Sequence, residues 1–383
     1  MQNQNPTTKE PSASNPSFII RLGYVGAGFL AQHVHLPNFS SLPNCQLAAL
    51  AERRPRLASR VAERFGISKV YADHSQLAQD PDINAVAVSA DYAGQGEIAA
   101  DLLRAGKHVF MEKPMAVSLH QGERILEAER KGKARLMVGY MKRFDPGNRL
   151  VRDLVRAWRS DPNKGKLLYV RSHGFCGNWI AGLDTSGFIR SDEPLIPTPI
   201  DELLPAWLPK EFQKAYIAYL QQYTHQVNLL RFLLDAHDKE DVRVESVALD
   251  EDGYTGIIIL EVKQTRCVIE SASTRFDGWD EHTQVFFEGG WIRSAPALLF
   301  SRPSFNEIEI YESGEQGGYR YPAAPVSQSW HYQEEAKHFL QCLRDGKEFD
   351  SPGKDALLDV GIFETVYQQF IEKARKRLNE ILF

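Results

Sequence analysis

The sequence predicts an α/β protein with a doubly wound parallel-sheet domain, residues 18–142, followed by an α+β domain with a mainly antiparallel open sheet, residues 143–383. The length of 383 residues exceeds what one hydrophobic core usually supports, which favours two domains. Strand and helix patterns alternate in the first part of the chain, and this order is typical of a parallel sheet. Residues 1–17 are polar and rich in Asn, Ser and Pro, so we expect a disordered tail there.

Five apolar runs predict the strands of the first domain. They read FIIRLGYVG, QLAALAE, INAVAVS, KHVFME and ARLMVGY. The stretches between them have helical spacing, as in PRLASRVAERFG, where Leu57, Val61 and Phe65 recur every four residues and Gly66 ends the run. A sheet of this kind binds its ligands beyond the carboxyl ends of its strands.

The second half of the chain has a different order of elements. A helix is predicted near residues 147–158, a strand at KLLYVRSHG, a long helix at about 210–235, alternating β patterns at 242–311 and two closing helices. A proline-rich segment at about 182–209 interrupts this order and is too long for an ordinary loop. We expect it to be an insertion near the substrate face.

The first strand runs into a GxGxxA turn that predicts dinucleotide binding in a Rossmann domain. Gly26 and Gly28 allow close approach of a pyrophosphate, and the following helix offers unpaired N–H groups. Glu52, at the end of the second strand, can hold both ribose hydroxyls of NAD and would repel the extra phosphate of NADP. Arg53 and Arg54 follow it and could each receive that phosphate, so NADP stays possible.

The stretch GKHVFMEKPM ends a predicted strand with two charges followed by a proline. Strand polarity places Lys113 in the ligand crevice, and Pro114 fixes the turn that follows. A partly desolvated lysine has its pKa pushed toward neutrality, which suits the removal of a proton from an alcohol as hydride leaves. An ordinary surface lysine beside a strand end explains the pattern equally well.

Several motifs together resemble the Gfo/Idh/MocA family of oxidoreductases over about residues 19–146. They are GAGFLA, the acid Glu52, RVAERFG, DINAVAVS, AGKHVFMEKPM and VGYMKRFDP, and WHYQEEAKHFLQCLRDGKEFDSPGKDAL resembles the closing segment of that family. The resemblance implies an NAD(P)-dependent enzyme acting on sugars, polyols or related carbonyls, with Lys113 as the catalytic lysine. The expected cofactor contacts are Gly26, Gly28, Phe29, Leu30, Ala31, Glu52, Arg53, Ser89, Gln95, Glu112 and Lys113.

The chain departs from the family pattern in two places. The usual histidine after the fourth strand is missing from ADYAGQ, and the usual pattern of two acids around a histidine reads QQYTHQVN here, so only His225 remains. Helical spacing places Gln221, His225 and Asn228 in one stripe. We expect His225 to assist Lys113, with substrate contacts from Gln221, Tyr223, Asn228, Arg143 and Trp179, although the phase of the helix turns Tyr223 toward the core and Arg143 could be structural.

Composition limits the remaining function classes. A net charge of −5 and a sequence pI near 6.2 argue against nucleic-acid or anionic-membrane partners, and no apolar run is long enough to span a membrane. Scattered cysteines are typical of a reducing cytoplasm, and no metal site is expected. We expect a small-molecule enzyme that forms a homodimer or homotetramer. Two alternatives stay open, an NAD-dependent glycoside hydrolase that oxidises its substrate transiently and a catalytically silent dinucleotide sensor.

Overall fold

The computed structural model describes residues 19–195, 198–297, 299–300, 306–315, 317–323 and 329–382. The predicted tail, residues 1–17, lies outside these ranges. Among the described helices, none is both long and apolar enough to cross a lipid bilayer.

The first sheet of the described chain is parallel throughout, as predicted. Its strands are β1 (Ile20–Val25), β2 (Cys45–Ala51), β3 (Lys69–Tyr71), β4 (Ala85–Val88), β5 (His108–Glu112) and β6 (Leu136–Gly139). They lie in the order β3-β2-β1-β4-β5-β6. The order reverses between β1 and β4, and a crevice for ligands forms at such a switch point. Strand β3 was not predicted, because its three residues form no apolar run.

Helices cover both faces of this sheet. A π-helical turn (Ala31–His35) leads into α1 (Leu36–Ser41), followed by α2 (Pro55–Phe65), α3 (His74–Ala78), α4 (Gln95–Arg104), α5 (Leu119–Gly132), α6 (Met141–Phe144) and α7 (Pro146–Arg159). In α2 the predicted apolar stripe, with Leu57 and Val61, is buried. Gly66 ends that helix with a positive φ of 64°, which glycine adopts without strain.

The second sheet is mixed, with one parallel pair among its described strands. These are β7 (Leu167–Asn178), β8 (Val242–Leu249), β9 (Gly256–Val262), β10 (Thr265–Asp277), β11 (Trp279–Phe287), β12 (Gly290–Ala295), β13 (Glu307–Gly314) and β14 (Gly317–Ala323). Their order is β14-β13-β12-β11-β7-β10-β9-β8, and β7 pairs with β10 in parallel. The prediction of a mainly antiparallel sheet is therefore confirmed.

Helix α8 (Lys210–Leu233) packs one stripe of aromatic and aliphatic side chains against this sheet. Tyr216, Tyr219 and Tyr223 are fully buried there, as their spacing predicts. The opposite stripe of the helix therefore faces the first domain, where the candidate site lies.

The two closing helices tie the sheets together. Phe339 of α9 (His331–Asp345) packs against Phe110 of β5, with ring centroids 5.7 Å apart, so this helix belongs to the core of the first sheet. Glu364 of α10 (Gly353–Leu382) accepts a hydrogen bond from the backbone of Leu119 at 2.6 Å. The predicted domain boundary at residue 143 stays a prediction. The chain after that residue does not belong to the second domain alone, because α9 returns to the core of the first sheet.

The proline-rich segment forms no regular helix or strand in its described part, residues 182–195 and 198–209. It lies against the first domain, where the backbone of Ile189 exchanges hydrogen bonds with Gln32 and Glu193 caps α2. Its start, at Gly182 and Leu183, lines a cavity together with residues of β11, and Leu204 and Leu208 pack in the core of the second sheet. The expected position near the substrate face therefore stays a prediction.

Candidate active site

The turn after β1 has the shape that a bound pyrophosphate requires. Gly26 adopts a φ of 99°, and a Cβ added there would lie 2.4 Å from the backbone oxygen of Ser89. A Cβ added at Gly28 would meet no atom within 4 Å, so open space lies above that residue. The first glycine thus permits close packing beneath the turn, and the second leaves room for phosphate oxygens.

Glu52 is held as an anion at the carboxyl end of β2. Its carboxylate accepts the N–H of Ala27 at 2.9 Å and two bonds from the Arg54 guanidinium at 2.8 and 3.0 Å. Burial alone would raise the pKa of Glu52, but the hydrogen bonds and charge of Arg54 outweigh it and hold that pKa below its usual value. Arg53 is exposed and lines the cleft.

A cleft of about 580 Å³ opens along the carboxyl edge of the first sheet. Every predicted cofactor contact except Ala31 lines it. Ala31 is fully buried among the core residues of the first domain, so its predicted contact is corrected. The cleft also includes Arg54, Leu195 and Gln221, and therefore extends from the end of β2 to helix α8.

Lys113 lies where this cleft meets α8. The Lys113–Pro114 peptide bond is cis, and the buried amide of Gln95 donates to the carbonyl oxygens of Glu112 and Pro114, each at 2.9 Å. The Lys113 ammonium donates to the backbone oxygen of Gln221 at 3.0 Å. Burial lowers the pKa of Lys113, against the opposing charge of Glu112. A lysine in this state exchanges a proton more readily than an exposed one.

His225 lies one helical turn beyond Gln221 on α8 and is 4% exposed. Burial, followed by the charges of Lys113 and Lys142, holds the pKa of His225 well below its usual value, so the ring is neutral. Its Nδ1 is buried and has no hydrogen-bond partner among the described residues. His225 lines neither the cleft nor the second cavity described below, although the charges of Lys113 and Lys142 act on it, so its contact with a substrate stays a prediction.

A second cavity of about 250 Å³ adjoins the cleft, and Trp179 lines both. Trp279 and Phe300 provide further apolar walls, while Lys142 and Glu281 form an ion pair in its lining. Gln226 donates to the same Glu281 carboxylate at 3.1 Å. Burial, and to a smaller extent the charge of Lys113, lowers the pKa of Lys142 to about 7.

Three predicted substrate contacts lie away from both cavities and are corrected. The Tyr223 hydroxyl donates to Gly174 at 2.9 Å and accepts the N–H of Ala272 at 2.9 Å, inside the second core. Arg143 is 1% exposed and donates to Asn228 at 2.6 Å. Arg143 and Asn228 belong to a buried network with the acids of α10. They therefore hold elements of the fold together and do not reach a substrate.

Apart from Trp179, sequence reasoning missed the residues that line the second cavity. Lys142 follows the carboxyl end of β6 in GYMKRFDP, and the rule that identified Lys113 would have found it. Trp279 and Glu281 come from β11, more than a hundred residues away in the chain, and no local pattern marks them. Gln221 lines the dinucleotide cleft and Trp179 lines both cavities, so their predicted contacts with a substrate stay predictions.

A buried cluster of titratable groups lies behind Lys113. His35 shares a hydrogen bond of 2.8 Å with Glu112, and Glu335 from α9 completes a set whose ligand atoms lie within 4.8 Å of one another. Burial, and then the charge of Glu112, raises the pKa of Glu335 well above its usual value, so this carboxyl is neutral. These three residues could together offer ligand atoms to a metal ion, and the expected absence of a metal stays a prediction.

The sequence of the dinucleotide-binding part of the chain is similar to that of known proteins. Residues 20–140 match the sequence model of the GFO_IDH_MocA family, described as an oxidoreductase family with an NAD-binding Rossmann fold. Over 373 residues the chain is 23% identical to a myo-inositol 2-dehydrogenase from Thermotoga maritima, covering 95% of this chain and 100% of that protein. Over residues 20–140 the chain is similar to the NAD-binding domain of this family. It is therefore an NAD(P)-dependent oxidoreductase.

Other known proteins are similar to this chain along nearly its whole length. An inositol 2-dehydrogenase from Rhizobium meliloti is 25% identical over 365 residues, with 92% of this chain and 98% of that protein covered. A 3-ketoreductase structure from Actinomadura kijaniata has a TM-score of 0.68 at 19% identity, covering 92% and 98% of the two chains. An aldose-aldose oxidoreductase from Caulobacter crescentus has a TM-score of 0.67 at 20% identity, covering 93% and 98%. These structures share the fold of this oxidoreductase.

Proposed function

We propose that this oxidoreductase transfers hydride between NAD and a hydroxyl or carbonyl carbon of a sugar, a cyclitol or a sugar derivative. The position of Lys113 carries the proposal, because it lies in the dinucleotide cleft and is hydrogen-bonded to the helix that carries His225. Two full-length relatives are named inositol 2-dehydrogenases, which supports a polyol substrate.

Bound nicotinamide supplies the acceptor or donor of hydride. The task left to the protein is to move the hydroxyl proton, and Lys113 is placed to take it in oxidation and to return it in reduction. Its lowered pKa increases the fraction of neutral amine near neutral pH. Glu112 opposes this effect, because its carboxylate favours the ammonium form of Lys113.

His225 supports this transfer as a neutral hydrogen-bonding group. Its unpartnered Nδ1 can orient a substrate hydroxyl toward Lys113. Gln221, which stands where the family usually has an acid, can donate and accept hydrogen bonds but cannot take a proton. In this chain Lys113 therefore carries the proton transfer, and His225 positions the substrate.

The second cavity supplies a site for the rest of the substrate. Apolar faces from Trp179, Trp279 and Phe300 enclose a space that also contains the Lys142–Glu281 pair. A few fixed polar groups among apolar walls are typical of small-molecule sites. This combination fits a polyhydroxylated ring, whose hydroxyls meet the ion pair while its C–H faces meet the aromatic walls.

NAD is the proposed cofactor because of the state of Glu52. The carboxylate is charged, and Arg54, which could have received a 2′-phosphate, is already bound to it. Replacing the ribose hydroxyl by a phosphate would bring two anions together. Comparing the Kd of the purified protein for NAD and NADP tests this choice, and tighter NADP binding would contradict it.

Turnover of a substrate panel tests the proposed reaction. The purified protein is incubated with NAD and either myo-inositol, free aldoses or glycosides, and formation of reduced nicotinamide is followed by absorbance. With any substrate found, Lys113→Met should lower kcat by about 10²–10⁴, the usual contribution of a positioned acid or base. Lys131→Met is the matched control, because Lys131 is an exposed lysine on α5 paired only with Glu127.

A Lys113→Met variant with kcat near that of the unaltered protein would remove the basis of the proposal. Net cleavage of glycosides without accumulation of reduced nicotinamide would favour the hydrolase alternative. Tight NAD binding with no turnover of any compound in the panel would favour the sensor.

A further inference from the structure

Two side chains that line the second cavity carry polar atoms without a partner. The Nε1 of Trp279, on β11, and the Nε2 of His331, at the start of α9, are buried and have no hydrogen-bond partner among the described residues. Buried polar groups in folded proteins are nearly always paired, and an unpaired one is unfavourable. A ligand that pairs with both atoms would therefore bind more tightly than one that leaves them unpaired.

The Nε2 atom of His331 is a hydrogen-bond acceptor. Burial, and then the charge of Lys142, lowers the pKa of His331 to about 3, so the ring is neutral at neutral pH. A neutral imidazole carries one N–H, and its Nδ1 lies 3.9 Å from the carboxylate of Asp145. That carboxylate favours the proton on Nδ1, which makes Nε2 the acceptor.

Trp279 has the opposite requirement, because an indole N–H can only donate a hydrogen bond. The two side chains together therefore require one acceptor and one donor from the ligand. A hydroxyl group supplies both, and so does a pair of neighbouring hydroxyls on a ring. An ionised carboxylate only accepts hydrogen bonds and would leave the Nε2 of His331 unpaired.

The charges of the second cavity also distinguish between ligands. Among the described residues that line it, the acids are Asp145 and Glu281, and Lys142 is the one lysine or arginine. Lys142 is already paired with Glu281, which also accepts the Gln226 amide at 3.1 Å. Burial raises the pKa of Asp145 to about 6, so its carboxylate is charged at neutral pH. An anionic group in this cavity would meet two carboxylates and a cation that is already paired.

We propose that Trp279 and His331 select a hydroxyl group on the part of the substrate that enters the second cavity, and that Asp145 and Glu281 exclude a phosphate or carboxylate from the same place. The inference rests on the proposed function and narrows its substrate to neutral sugars and polyols, against sugar phosphates and sugar acids. Selection of this kind combines favourable contacts to one ligand with unfavourable charges against another.

Binding measurements test the selection without turnover. The purified protein, saturated with reduced NAD, is titrated by calorimetry at neutral pH and constant ionic strength. The neutral compounds are myo-inositol and D-glucose, and the anionic compounds are D-glucuronate and D-glucose 6-phosphate. We expect at least one neutral compound to bind with a Kd that is lower than that of either anion by about tenfold or more.

Trp279→Phe removes the donor and keeps an aromatic ring in the wall of the cavity. It should raise the Kd for the neutral compound about two- to tenfold, the usual effect of one lost hydrogen bond. His331→Phe removes the acceptor and should have an effect of similar size. Trp291→Phe is the matched control, because Trp291 lies on the neighbouring strand β12, stacks on Tyr311 and lines neither cavity.

Glu281→Gln tests the exclusion of anions through a gain of affinity, which a misfolded variant would not show. The new amide oxygen still accepts from Gln226, but Lys142 loses its counter-charge and becomes available to an anion. The Kd for D-glucuronate should fall by about tenfold or more. Glu309→Gln is the matched control, because Glu309 pairs with Arg320 and lines neither cavity.

The outcomes separate failure of this inference from failure of the proposed function. Binding of either anion as tightly as the neutral compounds, or no binding of either neutral compound, overturns the inference. Turnover of such an anion would leave the oxidoreductase reaction intact. Equal Kd values in the Trp279 and Trp291 variants also overturn the inference. Selective binding of a neutral compound that is never oxidised supports the inference and contradicts the proposed reaction.

Discussion

At the scale of single residues, the chemistry depends on a few charges whose neighbours are fixed. Lys113 is a partly buried amine with one adjacent carboxylate, Glu112, and a neutral acid, Glu335, behind it. The charged neighbour acts on the lysine and the neutral one does not, because only a charge changes the cost of holding an ammonium in a buried site. This difference gives a test that distinguishes electrostatics from packing.

The pH dependence of oxidation should follow Lys113. Oxidation needs the neutral amine, so kcat/KM rises with pH through a pKa that lies below the ordinary value of 10.5. Glu112→Gln removes the charge that favours the ammonium and should therefore move this rise to lower pH. Glu335→Gln is the control, since an amide carries the same charge as the neutral acid, and an equal displacement in both variants would refute the assignment.

At the scale of elements, helix α8 has one function on each side. One stripe is anchored in the second core, where the Tyr223 hydroxyl bonds the backbone of β7 and β10. The other presents Gln221 and His225 to the first domain. The periodicity of the helix predicted both stripes. It did not predict that Asn228 of the polar stripe would bond a buried acid of α10 instead of a ligand, because that depends on how α10 packs.

Tyr223 should therefore affect stability and not catalysis. Tyr223→Phe leaves the N–H of Ala272 without its partner, and an unsatisfied buried group costs about 1–3 kcal/mol in the free energy of unfolding. Thermal unfolding should show a lower Tm with kcat and KM unchanged. Tyr319→Phe, on a residue that is 63% exposed, provides the control. A large fall in kcat at unchanged Tm would restore Tyr223 to the active site.

At the scale of the whole molecule, the second sheet leaves apolar side chains on its strands exposed. Leu168 of β7, Ile257 of β9 and Phe276 of β10 are 52%, 39% and 46% exposed. Exposed apolar groups on an open sheet favour association between copies of a chain. We propose that this sheet carries the contact of a homodimer or homotetramer.

Light scattering coupled to gel filtration should give a mass at least twice that of the 43.4 kDa chain. Ile257→Glu combined with Phe276→Glu should reduce the mass to that of one chain, because charges in an apolar contact lose their hydration. Val70→Glu, on the first domain and 45% exposed before substitution, should leave the mass unchanged. A single-chain mass for the unaltered protein at micromolar concentration would exclude this contact.

The sequence by itself determined the alternating elements of the first domain, the dinucleotide turn at Gly26 and Gly28, the acid at Glu52 and the position of Lys113. These features depend on local periodicity and on the rule that parallel strands end at one edge, so neighbouring residues suffice to predict them. Only the tertiary structure decided that Glu281 of β11 meets Lys142, that Arg143 pairs with acids of α10, and that Glu193 caps α2. Those contacts join residues more than a hundred positions apart, and no local period records which distant element packs against which.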